Sequence, residues 1–301
     1  MSELFQEAVR QLRTVRDLLR FAVSRFQEAG LCYGHGTAGA VDEAAYLILH
    51  TLHLPLDQLE PFLDAQVLVA EASQVLGVLE RRVRERIPAA YLTNEAWLGD
   101  FRFYVDERVI VPRSHIAHVL DQGLSSWIPD PDAVTRVLDL CTGSGCLAIL
   151  LAHTFTRAAV DAVDISADAL DVARDNVRDY GLEQRVRLVQ SDLFSALGDA
   201  RYDVIVSNPP YVPQAAMQSL PAEYRHEPVL ALAGGANGLD IVERIVREAK
   251  ARLTRKGVLV VEIGAGREAV TAAYPDLGLT WLETDAGGDP VFLVERGHLP
   301  G

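Results

Sequence analysis

The chain has 301 residues, of which 49% are hydrophobic, and a formal net charge of −14 at pH 7. This apolar content supports one large domain or two modest ones, each with a buried core. The acidic balance argues against a tight, sequence-independent grip on a phosphate backbone, which requires clustered cations, and it suits a small-molecule ligand or a basic protein partner.

Cysteine and histidine spacing and hydropathy narrow the class further. Three cysteines do not form a disulfide framework, which favours a reducing compartment. The sequence shows no apolar leader and no uncharged stretch of the roughly 18 residues that span a bilayer, so we expect a cytoplasmic protein without membrane association. Two His-x-x-His pairs lack a nearby cysteine or carboxylate that would complete a familiar ligand set, so no metal site is expected. The pairs are His50/His53 and His115/His118, and the cysteines are Cys32, Cys141 and Cys146.

The first 90 residues predict a small all-helical unit. Between residues 4 and 26 apolar side chains recur with a period of about 3.6, which predicts one amphipathic helix. A second helix is expected from about Asp42, its cap, to residue 54, and a third from about residue 72 to residue 87, where Pro88 ends it. The basic run at 81–86 is interpreted as a solvated helix face.

A β-hairpin is expected after this helical unit. Phe101, Phe103 and Val105 alternate with polar residues, and the run Val-Ile-Val at 109–111 is a second β-prone stretch before Pro112. We interpret the two stretches as the strands of a hairpin that links two parts of the protein.

From Pro131 onward, apolar runs alternate with helical stretches. The runs lie at 136–141, 158–164, 185–190, 202–207 and 257–263, and helices are expected at 166–180 and 239–253. Continuous apolar runs indicate strands that are buried on both faces, as in a parallel sheet with flanking helices. Two further runs, at 279–284 and 291–295, have no helix between them, which predicts an antiparallel pair at the end. The fold class is therefore α/β.

A glycine-rich turn follows the first of these strands, in the sequence Asp-Leu-Cys-Thr-Gly-Ser-Gly at 139–145. Glycines between a strand and a helix let a ligand approach the backbone outside the carboxyl ends of the strands. The dinucleotide pattern requires a third glycine at position 148, where this chain has Ala148. The turn by itself leaves a cofactor site and a generic tight turn equally open.

Carboxylates at the strand ends favour a ligand site. Asp164 ends the second strand and can accept from both hydroxyls of a ribose, or it can cap the next helix, although Ser166 can fill that role. Asp192 follows the third strand and can accept from the exocyclic amine of an adenine. Asp139 either holds the glycine turn or faces the ligand. Three carboxylates without a lysine suit a cationic, hydroxyl-rich adenosine, and S-adenosylmethionine is such a ligand.

The fourth strand ends in Ser-Asn-Pro-Pro-Tyr at 207–211. The Asp-x-x-x-Gly-x-Gly turn followed by Asn-Pro-Pro-Tyr resembles the class I methyltransferases, Rossmann-like enzymes that methylate planar, conjugated nitrogens in nucleobases and in glutamine. In such a site the side-chain oxygen of Asn208 and the carbonyl of Pro209 accept from the two N–H bonds of an NH₂ group. Pro210 stiffens the loop together with Pro209, and Tyr211 offers a flat face for stacking.

The resemblance implies catalytic and cofactor-binding residues by number. The catalytic ones are Asn208, Pro209, Pro210 and Tyr211, and those that bind S-adenosylmethionine are Asp139, Thr142, Gly143, Gly145, Asp164, Asp192 and Asn208. It also implies a mostly parallel, seven-stranded sheet with helices on both faces. The expected domains are a helical substrate-recognition domain (1–91), the hairpin linker (92–112) and the methyltransferase domain (113–301).

Other segments resemble one branch, the bacterial protein-glutamine methyltransferases. They are Ile-Pro-Ala-Ala-Tyr-Leu-Thr at 87–93, the hairpin at 103–109, Val-Pro-Arg-Ser at 111–114, Leu-Pro-Ala-Glu-Tyr-Arg-His-Glu-Pro at 220–228 and Asn-Gly-Leu-Asp at 237–240. Of two close relatives, one methylates a glutamine of the third large-subunit ribosomal protein and the other the Gly-Gly-Gln motif of peptide chain release factors. Tyr-Leu-Thr-Asn at 91–94, Pro-Arg-Ser and Glu-Tyr-Arg-His-Glu-Pro favour the ribosomal branch, with the release factor as runner-up substrate.

The chain departs from that branch at two positions, His115 and His118, where proline and glutamate are usual. Leu193 stands where release-factor enzymes often have a tryptophan beside the adenine. Three other classes compete with this interpretation. A nucleic-acid adenine methyltransferase would need a basic, base-reading surface, which the net charge disfavours. A nicotinamide-dependent reductase would need the missing glycine at 148, and a non-catalytic ribosome-assembly module would not need Asn208.

Overall fold

The computed structural model describes residues 1–122, 124–283 and 290–300. The chain divides into two compact units, one of residues 1–96 and 221–226 and one of residues 97–220 and 227–301. The short segment 221–226 thus folds with the helices, although the sheet surrounds it in sequence. The functional domains 1–91, 92–112 and 113–301 stay a prediction. Within the described residues no helix is both long and apolar enough to cross a membrane.

The first unit is a small helical bundle around its own apolar core. Its helices are α1 (Glu3–Gln11), α2 (Val15–Ala29), α3 (Ala40–Thr51), α4 (Val69–Glu85) and α5 (Ala89–Thr93), with 3₁₀ turns at Glu60–Phe62 and Ala222–His226. Leu18, Phe26, Leu47 and Leu76 are among the residues that fill this core. The expected second and third helices are confirmed as α3 and α4, and each begins and ends two or three residues earlier than the sequence pattern predicts. Asp42 is not the cap that was expected: Gly39 is the N-cap of α3, and Asp42 lies in its first turn.

The single helix expected at residues 4–26 is wrong, because the chain breaks between α1 and α2. Leu12 is extended, and Thr14 begins a new helix through a capping box. The hydroxyl of Thr14 accepts from the backbone N–H of Asp17 at 3.2 Å, while the Asp17 carboxylate accepts from the Thr14 N–H at 3.0 Å. This reciprocal pair satisfies two helix-end donors, and the apolar period alone does not reveal it.

A buried ion cluster ties α4 to the rest of the first unit. The side chain of Arg82 is fully buried and its guanidinium donates to Glu43 Oε1 at 2.6 Å, to Glu223 Oε1 at 3.1 Å and to the carbonyl of Cys32 at 2.8 Å. The expectation that residues 81–86 form a solvated face is wrong for Arg82, although Arg81 is exposed. Partners distant in sequence explain the burial, because a charge in an apolar interior requires paired counter-charges.

The second unit contains the sheet and its helices. The strands of the main sheet are β3 (Arg136–Leu140), β4 (Ala159–Asp164), β5 (Val186–Gln190), β6 (Tyr202–Ser207), β7 (Leu253–Glu262), β8 (Thr280–Leu282) and β9 (Val291–Glu295). The helices are α6 (His115–Gln122), α7 (Cys146–Thr154), α8 (Ala167–Asp179), α9 (Gln214–Met217), α10 (Val229–Leu232), α11 (Asp240–Arg252) and α12 (Arg267–Ala273), with 3₁₀ turns at Pro131–Ala133 and Arg296–His298. The strand runs, the two helices and the final antiparallel pair predicted from the sequence are confirmed, although residue 284 of the run at 279–284 lies outside the described residues.

The strand order creates a switch point in the middle of the sheet. The order is β5-β4-β3-β6-β7-β9-β8, with β3 to β7 parallel and β9 antiparallel to both β7 and β8. From β3 the chain moves outward to β5, and it then returns to β6 beside β3 and moves the other way. Because crossovers between parallel strands are right-handed, α7 and α8 lie on one face of the sheet and α11 on the other. Loops after β3 and β6 therefore diverge and leave room for a ligand.

A hairpin forms, but its two strands are not the two expected from the sequence. β1 (Glu95–Leu98) pairs with β2 (Phe101–Tyr104), and residues 109–111 form no strand. Gly99, with φ of +58°, allows the tight connection between the two strands. The N–H of Val111 donates to the buried carboxylate of Glu227 at 3.0 Å, so this backbone is bonded to a side chain rather than to a strand.

Replacing Arg82 by alanine should strongly destabilise the helical unit. The change leaves the buried Glu43 without a cation and Glu223 with Arg86 alone, which costs about 3 to 5 kcal/mol of unfolding free energy. Urea denaturation followed by circular dichroism measures it. The control is Arg81→Ala, since Arg81 and Glu85 form an exposed pair at 3.7 Å, for which the loss should stay below about 1 kcal/mol. Equal losses in the two variants would contradict a stabilising role of the buried cluster.

Candidate active site

A cavity of about 220 Å³ opens at the carboxyl edge of the sheet, beside the switch point. Five of the predicted site residues line it, namely Gly143, Asp164, Asp192, Asn208 and Pro210. The others, which are Asp139, Thr142, Gly145, Pro209 and Tyr211, are not among the described residues of its wall. The fold therefore brings half of the predicted set to the cavity wall.

The glycine turn requires its glycines for two separate reasons. Gly143 and Gly145 have φ of +55° and +80°, a region that side chains disfavour. A Cβ on Gly145 would also lie 3.2 Å from the Cβ of Ala173, so α7 and α8 pack closely at this point. The turn therefore presents its backbone at the cavity, as a cofactor-binding loop does.

Asp164 both holds the glycine turn and faces the cavity. One carboxylate oxygen accepts from the N–H of Gly143 at 2.9 Å and the other from the N–H of Ser166 at 2.9 Å. The hydroxyl of Ser166 accepts from Ala169 N–H at 3.2 Å, so Ser166 caps α8 and Asp164 is not needed for that role. Each oxygen of Asp164 keeps capacity for a further donor, such as a ribose hydroxyl. Burial raises the pKa of this carboxyl.

Asp139 is a buried carboxyl with an unsatisfied oxygen. The hydroxyl of Thr142 donates to its Oδ2 at 2.5 Å, whereas Oδ1 has no hydrogen-bond partner among the described residues. Burial raises the pKa of Asp139 to about 7. Buried polar atoms are nearly always paired in native proteins, so an orphaned acceptor below the glycine turn suits a cationic ligand group nearby.

The Asn-Pro-Pro-Tyr loop is fixed at both ends. At its start, the Ser207 hydroxyl donates to the carbonyl of Leu140 at 2.9 Å, which ties β6 to β3. At its end, Val212 N–H donates to Leu232 at 2.9 Å, and Gly234 N–H donates back to Val212 at 2.9 Å. Asn208 lies between these ties, and its side chain forms no hydrogen bond or ion pair within the part of the chain that the structure describes. Its amide is therefore available to a ligand.

Two glycines that the sequence interpretation overlooked support Tyr211. A Cβ on Gly234 would lie 2.7 Å from the Cα of Tyr211, and one on Gly264 would lie 2.7 Å from its ring. Gly264 follows β7, the neighbour of β6, and its φ is +50°. A glycine just after a predicted strand was the available signal, but only the strand order places it against the tyrosine ring.

Arg244 and Glu262 were also missed. Arg244 lines the cavity and its Nη2 lies 2.9 Å from Oδ2 of Asp192. Glu262, at the end of β7, is buried and accepts from the Ser114 hydroxyl at 2.6 Å and from the N–H of His115 at 2.9 Å. Burial raises the pKa of Glu262 to about 7. A lone acid or arginine carries no pattern, so nothing in the sequence separates these from surface charges.

The two histidines that depart from the family pattern have ordinary surroundings. The ring of His118 is hydrogen-bonded to the Gln122 amide at 2.8 Å, one turn further along α6. Burial lowers the pKa of His115, with a smaller contribution from His118. In the described residues no group of three or more His, Cys, Asp or Glu side chains is placed to hold a metal ion.

Several known proteins are similar to this chain. Residues 118–223 match the family model of the methyltransferase small domain. A ribosomal protein uL3 glutamine methyltransferase of Neisseria meningitidis serogroup B is 59% identical over 99% of this chain and 98% of its own length. One of Bordetella pertussis is 59% identical over 96% and 97%. Among solved structures, a methyltransferase from Pyrococcus furiosus is 16% identical with a TM-score of 0.47, over 66% of this chain and 90% of its own.

A seven-stranded, mostly parallel sheet with a glycine turn and an Asn-Pro-Pro-Tyr loop on either side of its switch point is the architecture of a class I methyltransferase. Sequence identity near 60% to these relatives, over nearly the full length of the chain, then assigns the protein to one family within this class. The chain belongs to the ribosomal protein uL3 glutamine methyltransferases.

Replacing Asp139 by asparagine should flatten the pH dependence of stability. With its pKa raised to about 7, the folded protein holds a proton that the unfolded chain releases near pH 4, so the unfolding free energy falls as the pH rises between about 4 and 7. Asparagine keeps an acceptor for Thr142 and does not titrate. Urea denaturation of the ligand-free protein at pH steps from 4 to 8 gives both curves.

Glu262 titrates in the same direction, so Glu262→Gln serves as the matched control and should flatten the curve independently. The stability difference between wild type and Asp139→Asn should change up to about pH 7 and stay constant above it. Parallel curves over the whole range would show that Asp139 does not take up a proton on folding.

Proposed function

We propose that this protein transfers a methyl group from S-adenosylmethionine to the side-chain amide nitrogen of a glutamine in ribosomal protein uL3. One structural observation supports the chemistry above all others. Asn208, on a stiff loop, exposes an unpaired amide to the cavity that the glycine turn and two acids also line. The names of the full-length relatives support the choice of substrate.

The cavity fits the proposed cofactor. Asp164 has acceptor capacity for the ribose hydroxyls, and Asp192 has it for the adenine amine. Gly143 and Gly145 open the backbone to the ligand, and Thr142 supports Asp139 from behind. The orphaned oxygen of Asp139 suits the cationic methionine portion. When bound, S-adenosylmethionine supplies an electrophilic methyl group on a sulfonium centre.

The target amide needs orientation more than it needs a base. Its nitrogen is a weak nucleophile because the lone pair is delocalised into the carbonyl. The side-chain oxygen of Asn208 and the carbonyl of Pro209 would accept from its two N–H bonds and stabilise the positive charge that develops as the C–N bond forms. The two prolines hold these acceptors in place, so little reorganisation is needed during the reaction.

Tyr211 would complete the site by stacking on the planar amide. Its ring is not among the residues that line the cavity wall, and Gly264 leaves room for it beside the Asn-Pro-Pro-Tyr loop. Pro210, which does line the cavity, stiffens the approach to this ring. We therefore assign catalytic roles to Asn208 and Pro209 and supporting roles to Pro210 and Tyr211.

The helical unit and the charge suit a basic protein substrate. Residues 1–91 have their own core, separate from that of the sheet, and we propose that they recognise the target protein. The net charge of −14 favours encounter with a basic ribosomal protein rather than with nucleic acid. A protein that modifies a ribosomal protein acts where ribosomes are assembled, and we therefore propose a cytoplasmic location.

Methyl transfer to purified substrates tests the proposal. The protein and methyl-labelled S-adenosylmethionine are incubated separately with uL3, with a peptide chain release factor and with an adenine-containing oligonucleotide. Label is expected in uL3 and should disappear when the modified glutamine, located by mass spectrometry, is replaced by alanine. Label in the release factor alone, or in the oligonucleotide alone, would overturn the substrate assignment.

Asn208→Ala should nearly abolish transfer without abolishing cofactor binding. Loss of a preorganised acceptor lowers kcat by about 100- to 1000-fold. We expect the affinity for S-adenosylmethionine, measured by isothermal titration calorimetry, to stay within about tenfold, since Asn208 is one of several ligand contacts. Gln218→Ala removes an exposed amide from the segment after the same loop and should retain activity. Unchanged kcat in Asn208→Ala would refute the assigned role.

A further inference from the structure

An ion pair forms part of the cavity wall. Asp192 follows β5, and its Oδ2 lies 2.9 Å from Nη2 of Arg244 on α11. Both residues line the cavity. Within the described part of the chain, Oδ1 of Asp192 has no hydrogen-bond partner, so one oxygen is held by the arginine and the other remains available.

Stability does not explain this pair. The side chain of Asp192 is 51% exposed and that of Arg244 is 35% exposed, and ion pairs with such exposure contribute little to folding. Glu248 lies one turn further along α11, yet the guanidinium is paired with Asp192 at 2.9 Å, and this pairing raises the pKa of Arg244. The pairing is thus selective for the acid at the cavity.

The position of Arg244 is coupled to the catalytic loop. The N–H of Asp240, the first residue of α11, donates to the carbonyl of Gly234 at 3.1 Å, and Gly234 is itself bonded to Val212. Ile241 and Arg244 lie three residues apart, on one face of the helix, and both line the cavity. The bond between Asp240 and Gly234 therefore fixes the start of α11 so that this face of the helix lies at the cavity.

The free oxygen of Asp192 has the polarity that an adenine amine requires. Adenine presents this amine as a hydrogen-bond donor. An ionised carboxylate only accepts, so Oδ1 of Asp192 matches the amine while Arg244 holds Oδ2. Hypoxanthine carries a carbonyl in place of the amine, and this acceptor would face the carboxylate.

We propose that Arg244 is a positioning residue that fixes the Asp192 carboxylate, and that the pair selects adenine over hypoxanthine in the nucleoside of the cofactor. This inference rests on the proposed function, in which S-adenosylmethionine occupies the cavity. Arg244 acts through Asp192. The arginine holds Oδ2 of the Asp192 carboxylate, so that Oδ1 of the same carboxylate faces the base.

Calorimetric titration of the full-length protein with S-adenosylhomocysteine and with S-inosylhomocysteine tests the pair without any turnover. Wild type should prefer the adenine compound, and Arg244→Ala should reduce this preference by about tenfold, the discrimination that one well-placed polar pair provides. Arg244→Lys, which keeps the charge, should retain part of it. Arg247→Ala, on the same helix and outside the cavity wall, should behave as wild type.

A double-mutant cycle separates positioning from general electrostatics. In an Asp192→Asn background, Arg244→Ala should change the preference by less than about twofold, because its route of action is gone. Equal weakening of both compounds by Arg244→Ala, or no change at all, would overturn the inference while leaving the methyltransferase assignment intact. Failure of wild type to bind S-adenosylhomocysteine would instead overturn the proposed cofactor, and the inference with it.

Discussion

The reversal of strand order between β3 and β6 is the constraint on which the site depends. Parallel strands deliver their carboxyl ends to one edge of the sheet, and right-handed crossovers send the two halves to opposite faces. The loops after β3 and β6 must therefore diverge, and the cavity lies where they part. The glycine turn follows β3 on one side of the cavity, and the loop with Asn208 follows β6 on the other. We propose that the methyl donor and the methyl acceptor meet at this point.

Backbone bonding makes the loops at this edge rigid while it leaves side-chain capacity free. Asp164 accepts from two backbone N–H groups and still faces the cavity with spare acceptor positions. The loop that carries Asn208 is tied to β3 at its start and to the segment before α11 at its end. Since these ties use neither the Asn208 amide nor the free oxygen of Asp192, preorganised groups remain for ligands. This is the arrangement that electrostatic catalysis requires, because fixed acceptors need no reorganisation as charge develops.

Most of the sheet was predictable from the sequence, and the errors share a cause. Continuous apolar runs identify buried strands because such strands have no polar face, and all seven appear. The helix expected at 4–26 is broken by the reciprocal bonds of Thr14 and Asp17, and the expected strand at 109–111 is replaced by a bond to Glu227. Arg82, expected on a solvated face, is buried by acids 39 and 141 positions away. In each case a specific polar partner overrides a periodic pattern.

The sequence by itself determined the class of the protein and contained the motif on which the proposed catalytic chemistry rests. Asn-Pro-Pro-Tyr and the glycine turn are local motifs. Their backbone conformations require glycine and proline at particular positions, so they can be identified without knowledge of the tertiary structure. Tertiary structure alone decided which residues face the cavity. It placed Arg244 against Asp192 and Gly264 under Tyr211, and it buried Asp139 with an unpaired oxygen. Those relations join residues far apart in the chain, and distance in space is a property of packing that no local pattern encodes.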